Sequence, residues 1–457
     1  MFFIKKIQNT KKKFYKFLLV LSFIISWISI GTDYNGLFLL SSNEEVSLSQ
    51  IINFMRVALN LFFFPVLCFM FFINMTKYKK NNINLYLVFI IPLFYFLSQT
   101  PGLFYTSNSL WNFLFIISSL NILMILNLVV QNFEDDEIYL IIFITFFLLF
   151  TVFSIAFIND IHLYSITGKL FYGKINYILG ESSIRSSGTS RIALVLLIIY
   201  SIFSEKIIKS EVLRIIPIVV LVAAILLYQS RASIGLALLF IIINYIHMKK
   251  YSYFDTFKYL IIYFLLPALL FITVISTKVG SHDDMDTRLV KVYEEYDNKE
   301  KNLENIYQLQ KKIILNKVRF FKYSEQVQTS SGRITDWKNI FNTFDYDSYL
   351  LFGYGSQGDR FLINQTASNA LIYAFLSSGL IGFMLFIIFT FTVGIEVIKY
   401  LFYNKRNEKV SYLSFCILVV ILPRSLVESS YALFSVDFIL FYTAFILINK
   451  NYEFKIK

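Results

Sequence analysis

Five arginines stand apart from the other basic residues of the chain. Arg185 and Arg191 bracket the segment Arg-Ser-Ser-Gly-Thr-Ser-Arg, Arg231 lies in Gln-Ser-Arg-Ala-Ser, Arg333 in Ser-Ser-Gly-Arg-Ile-Thr-Asp-Trp and Arg424 in Leu-Pro-Arg-Ser-Leu-Val-Glu. Each sits beside an apolar stretch. Charge near the depth of a bilayer costs several kcal/mol unless it is paired or solvated, which makes such residues functional candidates. A guanidinium stays charged and bonds phosphate oxygens through a planar fork. A cluster of arginines on one face can therefore hold a diphosphate without a metal. The plainer alternative is that each snorkels to lipid headgroups or pairs with Glu181, Asp336 or Glu428.

Other residue patterns carry less chemistry. Gly353-Tyr-Gly-Ser-Gln-Gly358 has the G-x-G-x-x-G spacing of dinucleotide sites, but such a site needs a helix and a second strand after it. Here a polar stretch runs straight into an apolar segment. Gly353 and Gly355 are better read as a tight turn that brings backbone N–H groups toward a phosphate, or simply as a tight loop. Asp284-Met-Asp286 resembles the aspartate pair that holds a metal and a nucleotide sugar in many glycosyltransferases, yet it falls on the face opposite the cytoplasm and reads as a solvated loop start. His162, His247 and His282 are scattered, with no i, i+4 pair and no cysteine beside them, so no metal site is expected. Cys68 and Cys416 lie within apolar segments and read as core thiols rather than a disulfide framework.

The elements that must position these residues follow from composition. Of 457 residues, 57% are hydrophobic and 16% charged, a balance that points to a membrane protein. A bilayer core takes about 20 apolar helical residues to cross. Apolar segments fall near 14–31, 52–75, 84–99, 109–130, 137–158, 189–204, 213–229, 232–247, 258–276, 369–399, 410–429 and 432–448. The expected fold is an all-α polytopic membrane protein of about twelve transmembrane helices. The first of them is expected to be an uncleaved helix, since its apolar run outlasts a signal-peptide core.

Loop charge sets the expected orientation. Lys77, Lys79, Lys80, Lys206, Lys209, Lys249, Lys250, Lys405, Arg406 and Lys409 fall in alternate connections, whereas 32–50 and 100–108 hold no Lys or Arg. Both termini are then cytoplasmic. The acidic turn Gln131 to Glu137 does not fit, but acidic residues contribute little to orientation. The chain accordingly divides into helices one to nine (1–276), a large extracytoplasmic loop (277–367) and helices ten to twelve (368–457). Within the loop, 286–326 alternates charged and apolar residues at three- and four-residue spacings, as an amphipathic helix over the membrane face would. The net charge of +12 is accounted for by the cytoplasmic connections and implies no nucleic-acid partner.

Four places together resemble the superfamily of O-antigen polymerases and O-antigen ligases. They are the arginine-rich entry to 189–204; Ser230-Arg231-Ala232; Gly332-Arg333 through Trp337 leading to Leu351-Phe352-Gly353-Tyr354-Gly355; and Ser368-Asn369-Ala370-Leu371 followed by Gly379-Leu-Ile-Gly382. The resemblance covers about 180 to 435. It implies an enzyme of the bacterial inner membrane that takes an undecaprenyl-diphosphate-linked glycan as donor and needs neither cofactor nor metal. A flippase and chain-length regulator proteins are the implied partners, beside the lipid bilayer itself. The ligase branch typically carries a His beside the Asn after the large loop, where this chain has Ser368. That departure points to the polymerase branch, with a ligase acting on a lipid or protein acceptor as the alternative and a lipid-linked sugar transporter as a second.

The expected site then has Arg231, Arg333 and Glu428 as catalytic residues, and Arg185, Arg191, Arg424, Gly353 and Gly355 around the diphosphate. A glycosyl diphosphate is already activated, so catalysis chiefly requires neutralising the leaving diphosphate and positioning an acceptor hydroxyl. Glu181, Asp336 and Asp359 are further candidates for the base that takes the hydroxyl proton.

Overall fold

A computed structural model describes residues 12–21, 63–71, 83–104, 109–167, 186–227, 230–248, 259–270, 333–363, 367–402 and 409–453. Among the described residues every long element is an α-helix and none is a strand. Helical stretches at 12–21 and 63–71 precede α1 (Ile83–Leu97), α2 (Ser109–Asn132) and α3 (Asp135–Thr167). Next come α4 (Ser186–Ile207), α5 (Glu211–Leu227), α6 (Arg231–Met248) and a helical stretch at 259–270. The last are α7 (Arg333–Thr343), α8 (Tyr346–Tyr349), α9 (Gly358–Ile363), α10 (Ala370–Phe402), α11 (Lys409–Arg424) and α12 (Val436–Glu453). Each expected apolar segment overlaps a helix. Among the described residues two helical stretches, Phe113–Asn132 and Ala370–Phe402, are long and apolar enough to cross a membrane, and five shorter apolar ones accompany them.

The chain packs as two compact units, 1–149 with 330–457, and 150–329. In the first, α12 lies in the core: Phe438, Phe441, Tyr442, Phe445 and Leu447 are all buried. Tyr431 stacks on Phe441 with ring centroids 3.9 Å apart, and Tyr95 of α1 donates its hydroxyl to the Ala432 carbonyl at 2.7 Å. Cys416 is buried here as expected, but Cys68 is only half-buried.

The second unit holds α4, α5, α6 and 259–270. Helix α4 packs against both α5 and α6. A turn of π-helix, Ile261–Leu265, interrupts the last stretch. Tyr259 and Tyr263 stack there at 4.3 Å, and their hydroxyls donate to the Ile241 carbonyl and to Ser201 Oγ at 2.8 and 3.2 Å.

Helix α10 departs from the expected continuous span. Gly379 has φ 59 and ψ −160, so the helix stops at Ser378 and restarts at Leu380. A break of this kind leaves carbonyls and N–H groups without helical partners. The loop before α9 supplies them: Tyr354 and Gly355 N–H donate to the Leu376 and Ser377 carbonyls at 2.8 and 3.0 Å, while Leu380 and Ile381 N–H donate to the Leu350 and Leu351 carbonyls at 2.8 and 3.3 Å. The approach is so close that a Cβ on Gly353 would lie 2.5 Å from the Leu376 carbonyl oxygen. Likewise, the segment expected to be helical through residue 429 ends at Arg424, directly after Pro423. A turn through the 3₁₀ segment Ser430–Ala432 then leads into α12.

Candidate functional site

Two arginine–carboxylate pairs meet around the loop between α11 and α12. Arg424 closes α11 and Asp437 lies in the first turn of α12, positions where the helix dipoles favour a cation and an anion respectively. Arg424 Nε is 2.9 Å from Asp437 Oδ2, and Ser430 Oγ donates to the same oxygen at 3.3 Å. This pair is sealed, with Arg424 5% and Asp437 2% exposed. Ser435 caps α12 by accepting the Phe438 N–H at 3.2 Å.

The second pair is looser and wetter. Arg333 Nη2 stands 3.5 Å from Glu428 Oε1, with the two side chains 31% and 34% exposed. A succession of hydrogen bonds brings these residues together from distant parts of the chain. Trp337, one turn after Arg333 on α7, donates its indole N–H to the Ala367 carbonyl at 2.6 Å, and the Ala367 N–H donates to buried Asp359 at 2.7 Å. Asn369 caps α10 by accepting the Leu371 and Ile372 N–H groups at 2.9 and 3.1 Å. Its amide donates to the Leu426 carbonyl at 3.0 Å, while Ala370 N–H donates to the Ser425 carbonyl at 2.8 Å. Arg333 and Glu428 are thus held by the ends of α7, α10 and α11.

Backbone strain gathers around this point. Gln357, Ser368 and Ser430 have φ of 66, 48 and 37, conformations that cost on the order of 1–3 kcal/mol each in a non-glycine residue. The buried Ser429 hydroxyl, next to Glu428, has no hydrogen-bond partner among the described residues.

The other expected site residues fall in different settings. Arg231 is exposed in the first turn of α6, and Arg191 is half-buried in the first turns of α4. Arg185, Glu181, His282, Asp284, Asp286 and the amphipathic stretch 286–326 lie outside the described residues. The N–H groups of Gly353 and Gly355 donate to the Tyr349 and Ser377 carbonyls, so these two glycines have a structural task in joining the loop to the broken helix. Of the acidic candidates, Asp359 is occupied by the Ala367 N–H, whereas Glu428 stands with part of its surface open. Sequence reasoning did not single out Asp437. Its signal was a lone carboxylate at the head of an apolar run, thirteen residues after an arginine.

Residues 216–387 match the family model described as O-Antigen ligase. Over that part of the chain the resemblance to the superfamily of O-antigen polymerases and ligases is borne out. The match begins within α5, takes in α6, α7 and the loop bearing Gly353, and ends within α10. The family is one of membrane proteins that transfer glycosyl groups, and the chain is similar to it over those residues. No curated protein and no solved structure matches the chain.

Proposed function

We propose that the chain is an inverting glycosyltransferase that polymerises undecaprenyl-diphosphate-linked repeat units at the outer face of the bacterial inner membrane, with Arg333 and Glu428 at its reacting centre. The observation that carries this reading is the open Arg333–Glu428 pair, 3.5 Å apart and a third exposed. As the acceptor hydroxyl bonds to the anomeric carbon, its proton passes to the Glu428 carboxylate. The electron pair of the breaking C–O bond leaves with the diphosphate, whose charge the guanidinium of Arg333 meets. Arg424 serves that purpose only indirectly, since its Nε is committed to Asp437.

A ligase acting on a lipid or protein acceptor is the second reading, favoured by the description of the matching family model. Purified protein reconstituted with lipid-linked repeat units separates the two. A ladder of lengthening lipid-linked glycan, unaffected by excess chelator, supports the polymerase. Transfer of preformed glycan to a second acceptor, with no ladder, supports the ligase. Loss of activity in chelator that a divalent cation restores would overturn the metal-independent mechanism in either case.

A further inference from the structure

The two faces of the lower part of α10 differ in burial, and both are chiefly apolar, with Glu396 on the buried one. Gly382, Phe386, Phe389, Val393 and Val397 are turned into the protein, while Ile381, Met384, Ile388, Phe391, Ile395 and Ile398 are exposed at alternating three- and four-residue spacings. In water the exposed face of a helix is polar. An exposed stripe made wholly of Ile, Met and Phe is the face a helix turns to lipid.

That stripe does not stop where the helix breaks. The Leu380 and Ile381 N–H groups are bonded to the Leu350 and Leu351 carbonyls, which sets Leu351 and Phe352 directly beyond its upper end. They are 55% and 40% exposed. Tyr346, whose hydroxyl donates to the Phe341 carbonyl at 3.3 Å, is exposed too, as are Ile334 and Phe341 on α7, which are seven residues apart and share one helix face. Lys338 is exposed near that face, and Asn339 and Thr343 are exposed on another side of α7. Contiguous apolar surface rimmed by polar residues marks an interaction site. Aromatic rings and a basic side chain flanking apolar residues are what an element lying in the headgroup region presents.

We infer that the segment from α7 to the glycine loop is seated in the bilayer interface, with Leu351 and Phe352 inserted among the acyl chains and Asn339 and Thr343 in water. The final part of the large loop is then a membrane-seated element that carries Arg333 at headgroup depth, where a lipid-linked diphosphate lies. The seating rests on the membrane character of α10 and does not depend on which glycosyl transfer the protein performs.

The test uses full-length protein with Cys68 and Cys416 replaced by Ala and single cysteines placed at Leu351, Phe352, Asn339, Thr343 and, as a reference on the stripe, Met384. Each variant is reconstituted in vesicles, labelled with a small fluorophore and titrated with lipid brominated high on its acyl chains. A parallel set is challenged with a membrane-impermeant maleimide before labelling. Quenching at 351 and 352 that matches 384, with none at 339 and 343 and with slow maleimide reaction only at the quenched positions, is the expected result. Fast maleimide reaction at 351 and 352 would overturn the inference and mark a water-facing surface open to glycan. Slow reaction there without quenching would overturn it as well, by showing that protein covers the patch. Glycosyl transfer measured on the same vesicles reports separately on the proposed reaction.

Discussion

The two arginine–carboxylate pairs of the first unit have members only four residues apart in sequence, Arg424 and Glu428, yet stand in opposite physical regimes. Arg424–Asp437 is short and sealed; Arg333–Glu428 is long and a third exposed. A buried pair is costly to break, because removing one partner strands the other charge in a low-dielectric interior. An exposed pair contributes at most about 1 kcal/mol. The first pair therefore fastens the loop between α11 and α12, and the second is free to exchange its partner for a ligand. Ser430, at φ 37, donates to the sealed pair, and Glu428 follows Arg424 by one turn's length of chain.

The sharpest way to break this contrast is at Asp437. Asp437→Ala should lower stability by about 3–5 kcal/mol, the cost of leaving one buried charge unpaired, read as thermal unfolding in detergent and as membrane abundance. The double substitution Arg424→Met with Asp437→Leu should recover most of that loss, since an apolar pair of similar size replaces a buried ion pair at little cost. Continued loss in the double variant would give Arg424 a role beyond fastening the loop.

A smaller effect is expected at the helix break. Gly379→Ala puts a Cβ against the Leu351 carbonyl in a backbone conformation that L residues rarely adopt, and should cost about 1–3 kcal/mol. The same thermal scan reads it, and protease sensitivity of the 350–358 loop should rise with it. Unchanged stability would mean that the loop does not depend on the break.

The smallest effect concerns Asp345, whose side chain accepts the Asp347 and Ser348 N–H groups at 3.1 and 3.3 Å and caps α8. Hydrogen bonding from Ser348 and then Asp347 holds this carboxyl below its ordinary value. A lowered folded-state pKa gives stability that is present above the ordinary carboxylate value and is lost as pH falls through the lowered one. Amide exchange at 346–349 should therefore quicken only in acid below that range, and Asp345→Ala should remove the pH dependence. An equal response to pH in that variant would assign the effect to another group.

How much of this could be read from the residues alone depended on range. Apolar length located the helices, since burying backbone in lipid demands helix over each such stretch. Arg333, Glu428 and Arg424 drew notice through charge beside apolar runs, which is a local property. The break at Gly379 was hidden because Gly-Leu-Ile-Gly reads as ordinary helix, and its cause is a loop more than twenty residues earlier. The same loop hides the structural task of Gly353 and Gly355: their spacing is visible in sequence, but the carbonyls that accept their N–H groups are not. Asp437 was missed for the same reason, its partner lying across a helical hairpin.

The central claim is that Arg333 meets the leaving diphosphate while Glu428 takes the acceptor proton. Its most direct test replaces Arg333 with Lys and with Ala, at membrane abundance matched by immunoblot, and measures the rate of glycan lengthening on lipid-linked repeat units. A planar fork aimed at developing charge is not replaced by an ammonium, so both variants should lose about 100- to 1,000-fold in rate, equivalent to about 3–4 kcal/mol. Near-normal lengthening by the Lys variant would reduce Arg333 to a surface charge paired with Glu428 and contradict the proposed site.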